Sequence, residues 1–134
     1  MTGFVIDASI LAGFALADER QPRAIRAVER LRSERAVGPS VLYFEIRNVL
    51  LVGERRRRLT ARETEEFLRI VARLPIRIDA DCVERRLLSL AREHQLTAYD
   101  AAYLELASRE GIALATLDAE LERAARAEGV ALVE

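Results

Sequence analysis

Five short apolar runs recur along this chain, at residues 3–6, 36–39, 76–78, 112–115 and 130–133, and amphipathic stretches fill nearly all the space between them. Runs so short and so continuously apolar suit strands buried on both faces. Strands that alternate with helices form a parallel sheet covered on both sides. Several crossovers have room for two helices, which gives the order βααβααβααβαβ. The expectation is a three-layer α/β domain with a short central parallel sheet of about five strands and helices on both faces. At 134 residues, without repeats, linkers or low-complexity tracts, residues 1–134 are expected to form one such domain.

Local signals place the helices. A mostly apolar helix starts at Ser9 and runs to about Ala17, with Asp18, Glu19 and Arg20 as its polar exit. Pro22 suits a first helical residue, and that helix reaches about Arg35. Ser40 is a good N-cap for a helix ending at Gly53 or in the run Arg55, Arg56, Arg57, Arg58. Thr60 and Glu63 have the spacing of a capping box. Pro75 ends the helix they start. Further helices run from about Cys82 to Gln95, from Tyr99 to Arg109 and from Asp118 to Ala127. Gly111 and Gly129 stand where a left-handed C-terminal residue is wanted.

Composition removes several chemistries. Every one of the 21 basic residues is arginine. Without lysine there is no P-loop and no lysine-dependent mechanism. A GC-rich genome explains that bias, although arginine also grips phosphate bidentately. One histidine and one cysteine are too few for an ordinary zinc site. Cys82 alone forms no internal disulfide and suits a reducing compartment. No apolar run approaches a membrane span of ~18 residues, and the N-terminus enters a strand with no signal segment. The expectation is a soluble cytoplasmic protein. A net charge of −1 announces no polyanion binding.

Four acids stand apart. Asp7 and Asp118 each follow a strand at its carboxyl end, where open α/β sheets bind ligands. Glu45 and Asp100 lie near helix N-termini among apolar residues. Each has a plain alternative. Asp7 and Asp118 could cap helices, Thr97 to Asp100 could be a capping box, and Glu45 could be one more solvated residue. As a set they imply more. Two carboxylates ~4 Å apart repel by about 4 kcal/mol at an effective dielectric near 20. Four in one pocket therefore need cations or protons. An oxygen-only donor set suits Mg²⁺ or Mn²⁺, and such a site suits phosphoryl chemistry.

These residues bring a family into view. Val5-Ile6-Asp7-Ala8-Ser9, the stretch from Ser40 to Asn48 around Glu45, Leu96-Thr97-Ala98-Tyr99-Asp100-Ala101-Ala102-Tyr103-Leu104, and Leu114-Ala115-Thr116-Leu117-Asp118 resemble, in order, the four motifs of the PIN-domain ribonucleases. The similarity is greatest to the VapC-type toxins of toxin–antitoxin pairs, and it covers essentially the whole chain. It implies Mg²⁺- or Mn²⁺-dependent endonucleolytic cleavage of RNA, a homodimer and a small cognate antitoxin that blocks the site. By the same resemblance, Asp7, Glu45, Asp100 and Asp118 would hold the metal and activate the attacking water. Asp7 and Asp100 would be the principal ligands, with Ser9, Asn48 and Thr116 as supporting polar groups.

Other residues carry weaker expectations. Arg55 to Arg58 would complement a helix dipole and stay solvated, or would contact RNA phosphates or an acidic antitoxin segment. Arg47, next to Asn48, points about 100° away from it on the helix. Tyr99 and Tyr103 share a helix face and read as core or dimer contact before base stacking. His94, at a helix C-terminus, reads as structural. Two competing functions remain. A silent PIN scaffold would bind RNA or protein without cutting. A receiver or haloacid-dehalogenase-like phosphatase would want a lysine, and the phosphatase a second aspartate where Ser9 stands.

Overall fold

The computed structural model describes residues 3–16 and 20–134. Residues 17–19, which include Asp18 and Glu19 of the expected polar exit of the first helix, lie outside the described residues. The elements are β1 (Gly3–Ile6), α1 (Ala8–Ala15), α2 (Pro22–Arg30), β2 (Arg35–Pro39), α3 (Val41–Arg55), α4 (Ala61–Arg73), β3 (Ile76–Asp79), α5 (Glu84–His94), α6 (Ala98–Glu110), β4 (Ala113–Ala115) and α7 (Ala119–Ala127). The result is the expected α/β three-layer arrangement, with one strand fewer. Residues 130–133 do not form a full fifth strand. They form a single parallel bridge, Leu132 to Leu114, with Leu114 N donating to Ala131 O and Val133 N to Leu114 O. β4 is only three residues long, so it offers its outer neighbour little to pair with.

All strands are parallel and lie in the order β3-β2-β1-β4. The chain winds outward from β1 through β2 to β3, then returns to place β4 on the other flank of β1. The reversal puts a topological switch point between β1 and β4, where the crevice of an open α/β sheet forms. Phe4, Val5 and Ile6 are wholly buried there. α6 packs across β1, β2 and β4, and α3 packs on β2, α1 and α4. Both helices that carry the remaining two acids therefore approach the same strand ends.

Most local signals are used as their chemistry suggests. Thr60 and Glu63 form the reciprocal capping box of α4. Gly111 and Gly129 take left-handed φ values of 65° and 72°. Ser40 departs from expectation. Its backbone is already helical and its side chain makes no capping bond, because β2 runs straight into α3 through Gly38, Pro39 and Ser40. Gly38 is needed there: a Cβ would lie 2.2 Å from Leu42 Cδ2. Below the sheet, buried Glu105 of α6 takes a salt bridge from Arg109 Nε at 2.8 Å and a bond from Val83 N at 3.3 Å. This ties the start of α5 to α6.

Candidate metal centre

Asp7 follows β1 directly, in the position of an N-cap for α1, yet its side chain makes no capping bond. Its carboxylate is nearly buried, at 6% exposure, and turns to two hydroxyls. Thr116 Oγ1 donates to Asp7 Oδ2 at 2.6 Å, and Ser9 Oγ donates to the same oxygen at 2.8 Å. Each hydroxyl also accepts from the backbone beyond β4: Leu117 N donates to Ser9 Oγ at 2.8 Å, and Asp118 N to Thr116 Oγ1 at 3.0 Å. The bonds from Thr116 to Asp7 and from Leu117 N to Ser9 stitch the exits of β1 and β4 together. The plain reading of Asp7 as a cap therefore fails, and Ser9 and Thr116 act as its donors.

Asp118 caps a helix and also lines the pocket. Its Oδ1 accepts from Glu120 N and Leu121 N, and no bond to its Oδ2 is made among the described residues. At α6, Thr97 Oγ1 accepts from Asp100 N at 3.1 Å. The reciprocal bond of a full capping box, from Thr97 N to the Asp100 carboxylate, is missing among the described residues, and the Thr97 hydroxyl is the group of its own helix that opposes the rise of the Asp100 carboxyl. Glu45 enters from α3, and Tyr103 Oη of α6 donates to its Oε1 at 2.6 Å. Asp7, Glu45, Asp100 and Asp118, with Ala8, Ser9, Asn48 and Val49, line one cavity of about 240 Å³ at the carboxyl edge of the sheet.

The electrostatics follow from this crowding. Burial raises the Asp7 carboxyl above its ordinary range; the Thr116 and Ser9 hydroxyls pull it back, and the Asp118 charge adds to the rise. Burial also raises Glu45, with the Tyr103 bond opposing and the charges of Asp7 and Asp100 adding. Asp100 is raised by burial and then by the charges of Asp118 and Asp7. The Tyr103 phenol is raised by burial and by its bond to Glu45, so it stays a donor. In a chain with 21 arginines, no ion pair reaches any of the four acids among the described residues. A pocket in which Asp7, Glu45 and Asp100 are all raised, and which has no basic partner among the described residues, is suited to a hard cation. The donors are all oxygen, which fits Mg²⁺ or Mn²⁺.

The four carboxylates are not drawn together as tightly as ligands around an ion. Among the described residues, the acid and histidine atoms that lie within 4.8 Å of one another belong to Glu93, His94 and Glu128. That group has an ordinary account. Glu128 Oε2 meets His94 Nε2 at 2.6 Å and its Oε1 accepts from Arg86 at 2.8 Å. Both oxygens are committed to an ion-pair network in which His94 is structural, as its sequence position suggested. A larger cavity of about 570 Å³ opens at the amino edge of the sheet beside Arg35 and Arg77, and Glu110 is its lone carboxylate.

The remaining expectations divide. Asn48 lines the cavity and is exposed. Arg47 turns away: its guanidinium stacks 3.4 Å from the centre of the Tyr43 ring and donates to Tyr43 O. Arg55 to Arg58 are exposed at the end of α3. Tyr99 and Tyr103 do not share one fate. Tyr99 is 62% exposed and Tyr103 wholly buried, so Tyr99 is not a core residue of this chain. The role of Tyr103 beside Glu45 went unread in the sequence. Its spacing of three from Asp100, which puts both on one side of α6, was the available signal.

Comparison with known proteins agrees with this geometry. A family model described as PIN domain matches residues 4–127. Ribonuclease VapC3 of Pyrobaculum aerophilum is 33% identical over 121 residues, covering 87% of this chain and 90% of that protein. Three solved structures share the fold at low identity. PAE2754 from Pyrobaculum aerophilum has a TM-score of 0.68 at 21% identity, covering 98% of this chain and 90% of that one. FitAcB from Neisseria gonorrhoeae has a TM-score of 0.67 at 14% identity, covering 98% and 96%. Mycobacterium tuberculosis VapC20, a sarcin–ricin loop cleaving toxin, has a TM-score of 0.62 at 16% identity, covering 90% and 94%.

Proposed function

The chain belongs to the PIN domain family, and from that premise we propose that it is an endoribonuclease toxin of the VapC kind, dependent on Mg²⁺ or Mn²⁺. One observation carries the reading: four carboxylates from the β1–α1 junction, α3, α6 and the β4–α7 junction line a single pocket that has no basic partner among the described residues. The name of its 33% identical relative, a ribonuclease, supports RNA as the substrate.

Asp7 and Asp100 would be the main ligands, with Glu45 and Asp118 completing the set. A divalent ion so held supplies Lewis acidity toward a phosphodiester and lowers the pKa of a bound water. The protein's own part is to hold the acids aimed at one pocket. Ser9 and Thr116 both donate to Oδ2 of Asp7, so neither hydroxyl occupies Oδ1. Asp118 anchors α7 through Oδ1, and no bond to its Oδ2 is made among the described residues. Asn48 offers an amide at the pocket wall that can donate to a phosphate oxygen. The exposed arginines at the end of α3 are cations within one helix of the site and suit a polyanion.

The proposal includes a small antitoxin and a homodimer. Exposed apolar side chains on α3 and α4, Phe44, Leu51 and Ile70, offer surface for such contacts. No described helix is long and apolar enough to cross a membrane. An RNA target and an exposed, unpaired Cys82 both favour a cytoplasmic location. The test is incubation of purified, antitoxin-free protein with a pool of structured RNAs in Mg²⁺, Mn²⁺ or EDTA, beside Asp100→Asn. Cuts that require the metal and vanish in the variant support the reading. Folded protein that cuts nothing in any condition favours a silent scaffold.

A further inference from the structure

Glu45 is the acid least anchored by its own element. It sits one turn into α3, partly exposed, with a side chain of three rotatable bonds. Asp7 is held by two hydroxyls, and Asp118 by two amides. The side-chain bond that Glu45 makes comes from another helix: Tyr103 Oη of α6 donates to Oε1 at 2.6 Å. The Tyr103 ring is wholly buried among Phe4, Leu42 and the other residues of the core, so its hydroxyl cannot follow Glu45 if that side chain swings out. It lies one turn beyond Asp100 on the same helix. α6 therefore brings one acid to the pocket and fixes the aim of another.

We propose that Tyr103 is a positioning residue for the metal centre: its buried phenol locks Glu45 in the rotamer that faces Asp7 and Asp100. This rests on the reading of the four acids as a cation site. The phenol takes Oε1 of a residue that lines the pocket, and it does not occupy Oε2. Partners that orient a ligand in this way typically change metal affinity by 10–100-fold when removed. Glu45 is partly solvated and only one of four acids, so the lower end, about tenfold, is expected here.

The experiment is Mn²⁺ binding by calorimetry to the full chain, its Tyr103→Phe and Glu45→Gln variants, and the double variant, with melting curves of each in EDTA. Tyr103→Phe removes one oxygen and leaves the ring filling the same space. The expected result is about tenfold weaker Mn²⁺ binding in Tyr103→Phe, a melting temperature in EDTA close to wild type, and no further loss when the same change is made in Glu45→Gln. Two results overturn the proposal while leaving the cation site standing. One is wild-type affinity in Tyr103→Phe; the other is an equal loss in both backgrounds, which would make the phenol a general support of the fold. Wild-type protein that binds no Mn²⁺ removes the cation site itself, and this proposal with it.

Discussion

Asp7→Asn removes one charge from the floor of the pocket and keeps an oxygen to accept from Thr116 and Ser9. The cavity of about 240 Å³ is roughly 8 Å across if taken as a sphere, and two carboxylates at that distance repel by about 2 kcal/mol at an effective dielectric of 20. Glu45 and Asp100 are partly exposed, so water and salt reduce each repulsion to about 1 kcal/mol. Against this relief, two hydroxyl bonds to an ionised acceptor become bonds to a neutral one, each weaker by about 1 kcal/mol. Asp7 also no longer leaves water as a charge, and its raised carboxyl shows that burial outweighs the two hydroxyls. The metal-free variant should be the more stable protein by about 1–2 kcal/mol, a rise in Tm of ~4–8 °C for a chain of this size.

The pH dependence gives the stricter test. A carboxyl raised in the fold binds its proton more tightly there than in the unfolded chain. Its contribution is intact below the ordinary aspartate value of 3.8 and is lost as pH climbs through the raised value. The advantage of Asp7→Asn should therefore be small near pH 4 and full by pH 8. In Mn²⁺ the order should reverse, because the wild type binds the ion more tightly and gains more stability from it. The assay is thermal unfolding at several pH values in EDTA and again in Mn²⁺. A variant less stable than wild type in EDTA at pH 8, or an advantage independent of pH, would refute the reasoning.

Three further changes test the scaffold around the site. Thr116→Val should cost about 1–2 kcal/mol in urea unfolding, because it deprives Asp7 of a donor and Asp118 N of its acceptor. Arg109→Ala should cost about 3–5 kcal/mol, since Glu105 is 1% exposed and would be left as a buried charge; a loss under 1 kcal/mol would mean the fold opens there to water. Gly38→Ala should cost about 1–3 kcal/mol by overpacking and weaken Mn²⁺ binding as well, because the added Cβ meets Leu42 and pushes α3, with Glu45, off the sheet.

The sequence made the elements and the four acids legible for physical reasons. Apolar runs bounded by Pro75 or Gly111 read as buried strands, and an acid between Leu42 and Ile46, both buried, is drawn partly out of water even though Phe44 beside it is exposed. Strand order was not legible, because it depends on how α6 settles across β1, β2 and β4 rather than on any local pattern. The shortness of β4 decided the fate of residues 130–133, and no propensity reports that. Ser40 has the chemistry of a cap but stands in a chain already turned helical by its approach from β2. Tyr103 looked like core and is core; only its partner on a distant helix gives its hydroxyl a role.

The central claim is that Asp7, Glu45, Asp100 and Asp118 make one cation site. Its most direct test is a Mn²⁺ titration of the wild type and of Asp7→Asn, Glu45→Gln, Asp100→Asn and Asp118→Asn, one change at a time. The account predicts binding in the wild type that is weakened in all four variants, most in Asp7→Asn and Asp100→Asn, and untouched by Glu93→Gln. Binding that survives all four changes, or that falls with Glu93→Gln instead, would contradict it.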